Sequence, residues 1–121
     1  WLGSFFGIIA SIAYVGIGFT PWDLNLIAHM WCVYIAFPVS LPLTVCYIIG
    51  IYSECNLPKR MAISFFGYLF ILSFYLYLLF FGPASATETG RMIQVVGQKI
   101  IIYATNLLMI FQKVRKFKLN N

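Results

Sequence analysis

Charge is the scarcest property of this chain: only 9% of its 121 residues are Asp, Glu, Lys or Arg, and three of these are acids. A disordered segment needs low hydrophobicity and high charge, so that class is excluded. Cysteine is sparse as well, and three residues are far too few for a secreted disulfide scaffold. A single histidine leaves too few ligands for a metal centre, which takes three or four. What the chain has in abundance is apolar surface, at 62% of residues and a mean hydropathy of +0.90. A water-soluble domain of this length cannot bury so much, and a membrane protein results.

The formal charge of +5 raises nucleic acid as a partner, and the placement of the cations excludes it. Lys113, Arg115, Lys116 and Lys118 crowd the carboxyl end, and Lys59 and Arg60 adjoin in one short connection. They flank apolar runs instead of forming a soluble basic face, which is the distribution of membrane orientation signals. Trp1 stands where a start Met is expected, so upstream helices are expected to be missing.

A hydrocarbon core of about 30 Å needs about 20 apolar residues as helix. Four windows qualify: Leu2 to Phe19, Leu24 to Tyr52, Met61 to Phe81 and Met92 to Phe111. The breaks carry helix-start chemistry. Thr20-Pro21-Trp22-Asp23 offers an N-cap, a proline at the first helical position and an acid at the third, and Ser85-Ala86-Thr87-Glu88 repeats the capping box. Asn56-Leu57-Pro58 starts the third helix in the same way, and Gly82-Pro83 ends it. The expected fold is all-α, a polytopic transmembrane bundle in up-down order forming a single domain over 1–121. Its helices lie at about 2–19, 21–52, 58–81 and 86–113, with a short basic tail over 113–121. Alternate connections differ in Lys and Arg content, so the positive-inside rule places the carboxyl tail in the cytoplasm or its topological equivalent.

The last helix carries the most polar side chains. At about 100° per residue, Arg91, Gln94, Gln98, Thr105 and Gln112 form one stripe and Lys99, Tyr103, Asn106 and Lys113 the adjacent one. Ile93, Val96, Ile100, Leu107 and Leu108 lie opposite. A charge at the bilayer centre costs at least about 2.5 to 3.5 kcal/mol, so this polar half should turn to protein or to a water-filled cavity. Two readings stand. Arg91, Gln94, Gln98 and Lys99 build an outer-leaflet anion site for a lipid phosphate, with Lys99 snorkelling outward, or the amides glue helices together.

His29, with Asn25 one turn before it, lies early in the second helix. Asp23 falls on a different face from it, so a general acid or base would lack its orienting partner. A hydrogen bond to a neighbouring helix is the plainer role, and His29, Asn25, Tyr103 and Asn106 are expected to make interhelical polar contacts. Pro38 and Pro42 free carbonyls mid-helix, near Tyr34 and Pro38, where Ser40 or Thr44 can compensate. Broken helices of this kind also line transport sites, and a small transporter is a further reading. Gly3, Gly7 and Ser11 form a small-residue stripe that permits close helix approach. The third helix carries nine aromatics between Met61 and Phe81 with no cofactor ligand beside them, so packing is expected and no cofactor is implied. Cys55, beside Pro58-Lys59-Arg60, occupies a position suited to palmitoylation.

The order of these features resembles the DRAM/FRAG/Sfk superfamily, especially its uncharacterised archaeal and bacterial branch of six-helix proteins. The resemblance rests on Gly16-Ile17-Gly18-Phe19-Thr20-Pro21 closing one helix, a His early in the next, and Gly97-Gln98-Lys99-Ile100-Ile101-Ile102-Tyr103 in the last. That branch shows a Glu-Arg pair before the aliphatic run and the Tyr. Here Gln98 stands at the Glu and Lys99 at the Arg, so the acidic member is missing. The resemblance spans nearly the whole chain, matches the last four of six helices, and implies a lipid-associated role without a defined reaction. The expected function is a non-catalytic membrane protein, a structural or accessory subunit packing against other transmembrane proteins and membrane lipids. The alternative is a lipid-binding or lipid-handling protein.

Overall fold

The computed structural model describes residues 1–55, 59–83 and 87–120, the last six by backbone alone. The chain is all-α, and its four helices are α1 (Leu2–Phe19), α2 (Leu26–Ser53), α3 (Arg60–Phe81) and α4 (Glu88–Asn120). Each is long and apolar enough to cross a membrane, which is compatible with an integral membrane protein. The chain divides into two compact units, Trp1–Ser53 and Glu54–Asn121, and each is a helical hairpin.

The first hairpin pairs α1 and α2 antiparallel. Along α1 the inward positions are small: a Cβ at Gly3 would sit 3.5 Å from Cys46 Cβ, one at Gly7 3.7 Å from Leu43 Cδ1, and one at Gly16 2.6 Å from Cys32 Sγ. Ala10 and Ala13 are buried between them. Apolar side chains gain nothing by leaving lipid tails for each other, so small residues that let two backbones approach replace the hydrophobic drive. Ser11 is not part of this seam, being exposed with its hydroxyl donated back to the Gly7 carbonyl at 2.7 Å. Midway along, Tyr14 reaches α2, its ring edge-on to Phe37 with centroids 5.5 Å apart and its hydroxyl 3.1 Å from Ser40 Oγ. The single Ser40 proton is committed to the Ala36 carbonyl at 2.7 Å, so Tyr14 is the donor across the interface.

Pro38 and Pro42 lie inside α2, which stays one helix. Thr44 donates to the Ser40 carbonyl at 2.7 Å, as Ser40 does to that of Ala36. These are back-bonds to the i−4 carbonyl and do not reach the carbonyls of Tyr34 and Pro38 that the prolines free.

The second hairpin repeats the device. Tyr75 of α3 lies over Gly97 of α4, where an added Cβ would come 2.7 Å from ring atom Cδ2 and 2.9 Å from Cε2. Two turns away Thr105 Oγ1 bonds Tyr68 Oη at 3.2 Å and its own Ile101 carbonyl at 2.8 Å. Leu72, Leu76 and Leu79 of α3 and Ile101 and Leu108 of α4 fill the remaining core.

Helix boundaries depart from the sequence reading at two starts. Thr20 is the C-cap of α1, its N–H and hydroxyl both given to the Gly16 carbonyl at 3.0 and 2.7 Å. Pro21 opens a turn whose carbonyl accepts from Leu24 and Asn25 at 3.1 and 3.0 Å. The helix then begins at Leu26, with Asn25 Oδ1 accepting from the Ala28 N–H at 3.1 Å, because Asn is a stronger N-cap than Thr and Thr20 is already spent on α1. At α4 the cap is Thr87, whose Oγ1 accepts from the Gly90 N–H at 3.1 Å, with Glu88 in the first turn where the helix dipole favours an acid. Ser85 and the Asn56-Leu57-Pro58 start lie outside the described residues. Gly82 ends α3, its N–H donated to Leu78 at 2.9 Å, and α4 continues as helix through the segment expected to be a tail.

The two glycine contacts make a graded prediction. Gly97→Ala meets a buried aromatic ring and should destabilise the second hairpin by about 1 to 3 kcal/mol, with Tyr75→Leu in the same chain recovering part of the loss. Gly16→Ala meets only the tip of a cysteine and should cost less. Thermal unfolding in detergent measures both, and equal effects at the two sites would contradict the packing described.

Candidate functional site

The polar residues of α4 divide between two faces. The inward face is Gln94, Gly97, Ile101, Thr105, Leu108 and Gln112: Gln94 and Leu108 are 8% exposed and Ile101 not at all, Gly97 underlies Tyr75 and Thr105 bonds Tyr68. The Gln112 amide nitrogen is buried without a hydrogen bond among the described residues. Leu108, expected on the face opposite the amides, belongs to this buried seam. The second stripe, Lys99, Tyr103, Asn106 and Lys113, is exposed throughout. At about 100° per residue it lies roughly 150° round the helix from the seam.

This division separates the four residues expected to hold an anion. Gln94 is buried in the hairpin, Gln98 is half-buried, and Arg91 and Lys99 are exposed. Gln94 and Lys99 stand about 140° apart on the helix, so one phosphate cannot bridge them, and Arg91, Gln98 and Lys99 remain as a possible set. Along the axis Lys99 is about 12 Å from Arg91 and about 21 Å from Lys113, which sets it near the middle of the span.

Asn25 and His29 sit together at the start of α2 and act locally. Asn25 caps its own helix through Oδ1. Half-buried His29 places Nδ1 2.6 Å from the Thr20 carbonyl. A carbonyl only accepts, so Nδ1 carries the proton and Nε2 is the nitrogen left over. The bond ties the C-cap of α1 to the first turn of α2 and fixes the turn between them. Asp23 is exposed within that turn. Tyr103 and Asn106 both lie on the exposed stripe, away from α3.

Two open apolar grooves follow the second hairpin. One, of about 300 Å³, is lined by Phe74, Tyr75, Leu78, Met92 and Val96 among others, and the other, of about 540 Å³, by Ser64, Tyr68, Leu107 and Phe111 among others. Neither is lined by Lys99, Tyr103 or Asn106, so the grooves suit hydrocarbon and the polar stripe is a separate feature. The exposed Phe66, Phe70 and Phe74 of α3 offer further surface of the same apolar kind. Among the described residues no three His, Cys, Asp or Glu side chains cluster as metal ligands. Cys32, Cys46 and Cys55 are free thiols, and only Cys55 is exposed.

The sequence separates the polar half of α4 into two stripes but does not show that only the first of them meets α3. The signal was available in part: Gly97 lies within the seam, and a glycine between two polar positions marks where a neighbouring ring can approach.

The His29 bond predicts a stability effect. His29→Leu should lower the unfolding free energy of the first hairpin by about 1 kcal/mol, and His29→Asn, which keeps a donor near the same place, should lose less. Detergent unfolding curves followed by circular dichroism test this, and equal losses for both variants would remove the clamp.

Compared with family models, curated proteins and solved structures, the chain matches none of them.

Proposed function

We propose that this chain is a non-catalytic integral membrane protein, a structural or accessory subunit that packs against other transmembrane proteins and lipids. One observation carries the proposal: within its span α4 has a second polar face, Lys99, Tyr103 and Asn106, that its own hairpin leaves exposed. Polar side chains at that depth are expensive against hydrocarbon and are found facing protein or a water-filled cavity. The only histidine supports a structural reading too, since its Nδ1 is engaged by the Thr20 carbonyl. On the positive-inside rule the basic end of α4 faces the cytoplasm or its topological equivalent.

The alternative is lipid handling. It draws on the apolar grooves of the second hairpin and on Arg91, Gln98 and Lys99, with Gln94 turned inward.

Native mass spectrometry of the full-length product, extracted from its own membrane in mild detergent, separates the two. The accessory reading expects other protein subunits at fixed stoichiometry. A lone chain retaining a defined phospholipid, and losing it in Lys99→Met, would replace that reading with the lipid one.

A further inference from the structure

Resting on the accessory reading, we propose that the exposed face of α4 is a docking surface for a transmembrane helix of a different protein, one that carries a carboxylate at the depth of Lys99. Three observations support it.

The spacing is that of a helix seam. Val96, Lys99, Tyr103, Asn106, Ile110 and Lys113 alternate by three and four residues, the a and d positions of a left-handed helix pair. All six are exposed, Val96 at 49%, Tyr103 at 67% and Ile110 at 58%. The buried seam against α3 runs down nearly the opposite side of the helix, and Val96 and Ile110 also edge the grooves beside α3.

The charge is unanswered within the chain. Its three acids are Asp23, in the turn between α1 and α2, Glu54, one residue past the end of α2, and Glu88, the first residue of α4. All three stand at helix ends. Glu88 is about 16 Å along the axis from Lys99, and however the hairpins meet, an acid at a helix end stays at the edge of the span. A lipid phosphate is a poor substitute, because it lies at the level of Arg91 and a four-carbon stem covers only part of the roughly 12 Å between. A carboxylate on a neighbouring helix meets Lys99 at its own depth, and Asn106, one heptad on, adds a hydrogen-bonding position that fixes register.

The occupant is not a second copy. A parallel self-pair across this face sets Lys99 against Lys99 and Lys113 against Lys113, and in either direction the face brings no acid.

The test uses three synthetic probe helices of leucine, identical except for one central residue, Glu, Gln or Leu. Each is co-reconstituted with the full-length protein in phosphatidylcholine vesicles, and association is followed by energy transfer. The Glu probe should associate about tenfold more tightly than the Gln probe. Lys99→Arg should keep that preference and Lys99→Met should abolish it. Circular dichroism on each variant confirms that the helices have formed. Equal binding of Glu and Gln probes, or a Glu preference that survives Lys99→Met, overturns the carboxylate assignment. If that happens while native extracts still yield a fixed-stoichiometry complex, the accessory reading stands and only the partner chemistry falls. A chain that extracts alone removes the accessory reading whatever the probes do.

Discussion

Helices surrounded by hydrocarbon gain nothing from burying leucine against leucine, and that constraint governs how this chain is held together. Association has to come from close approach and from polar groups that find each other. Both hairpins solve the problem the same way. A glycine admits the neighbouring side chain, Cys32 at Gly16 and Tyr75 at Gly97. A tyrosine hydroxyl then meets a short hydroxyl across the interface, Tyr14 with Ser40 and Tyr68 with Thr105. In each pair the short hydroxyl also bonds the carbonyl one turn back, so its direction is fixed before the tyrosine arrives. Unpaired polar atoms are expensive in this medium.

Against that economy the outer face of α4 stands apart. Gln94, Thr105 and Gln112 are drawn into the seam with α3, whereas Lys99, Tyr103 and Asn106 are not. The same helix therefore buries one polar face against α3, where Thr105 bonds Tyr68, and presents another at a depth where lipid offers no hydrogen bonds. The proposed protein neighbour rests on this asymmetry. A headgroup site needs cations at the membrane edge, where Arg91 lies, and has no use for Asn106, about 10 Å from the Lys113 end.

Much of the helical layout was legible in the sequence because span length and hydropathy are properties of single segments. The window Leu2 to Phe19 is α1 residue for residue, and Gly82 with Pro83 stops α3 as a helix-ending pair should. Competition between segments was harder to read. Thr20 has the chemistry to start α2 and also to finish α1, and it does the second because Asn25 stands five residues on as the better cap. The small-residue stripe was placed through Gly3, Gly7 and Ser11, but the interface turns through Ala10 and Ala13 to Gly16. In the candidate site the residue types were legible and their allocation was not. Which arc of α4 meets α3 depends on where Tyr68 and Tyr75 fall, and a helical wheel of α4 alone does not contain that.

The uninterrupted length of α4 has a mechanical consequence. At 33 residues it is about 50 Å long, against a hydrocarbon layer of about 30 Å. No break in the helix separates the segment inside the bilayer from the one past Lys113, so the direction of the one carries on into the other. A tilt of the segment at mid-membrane is magnified by the overhang. Events at mid-membrane and the position of the basic terminus are thereby geared together without any hinge.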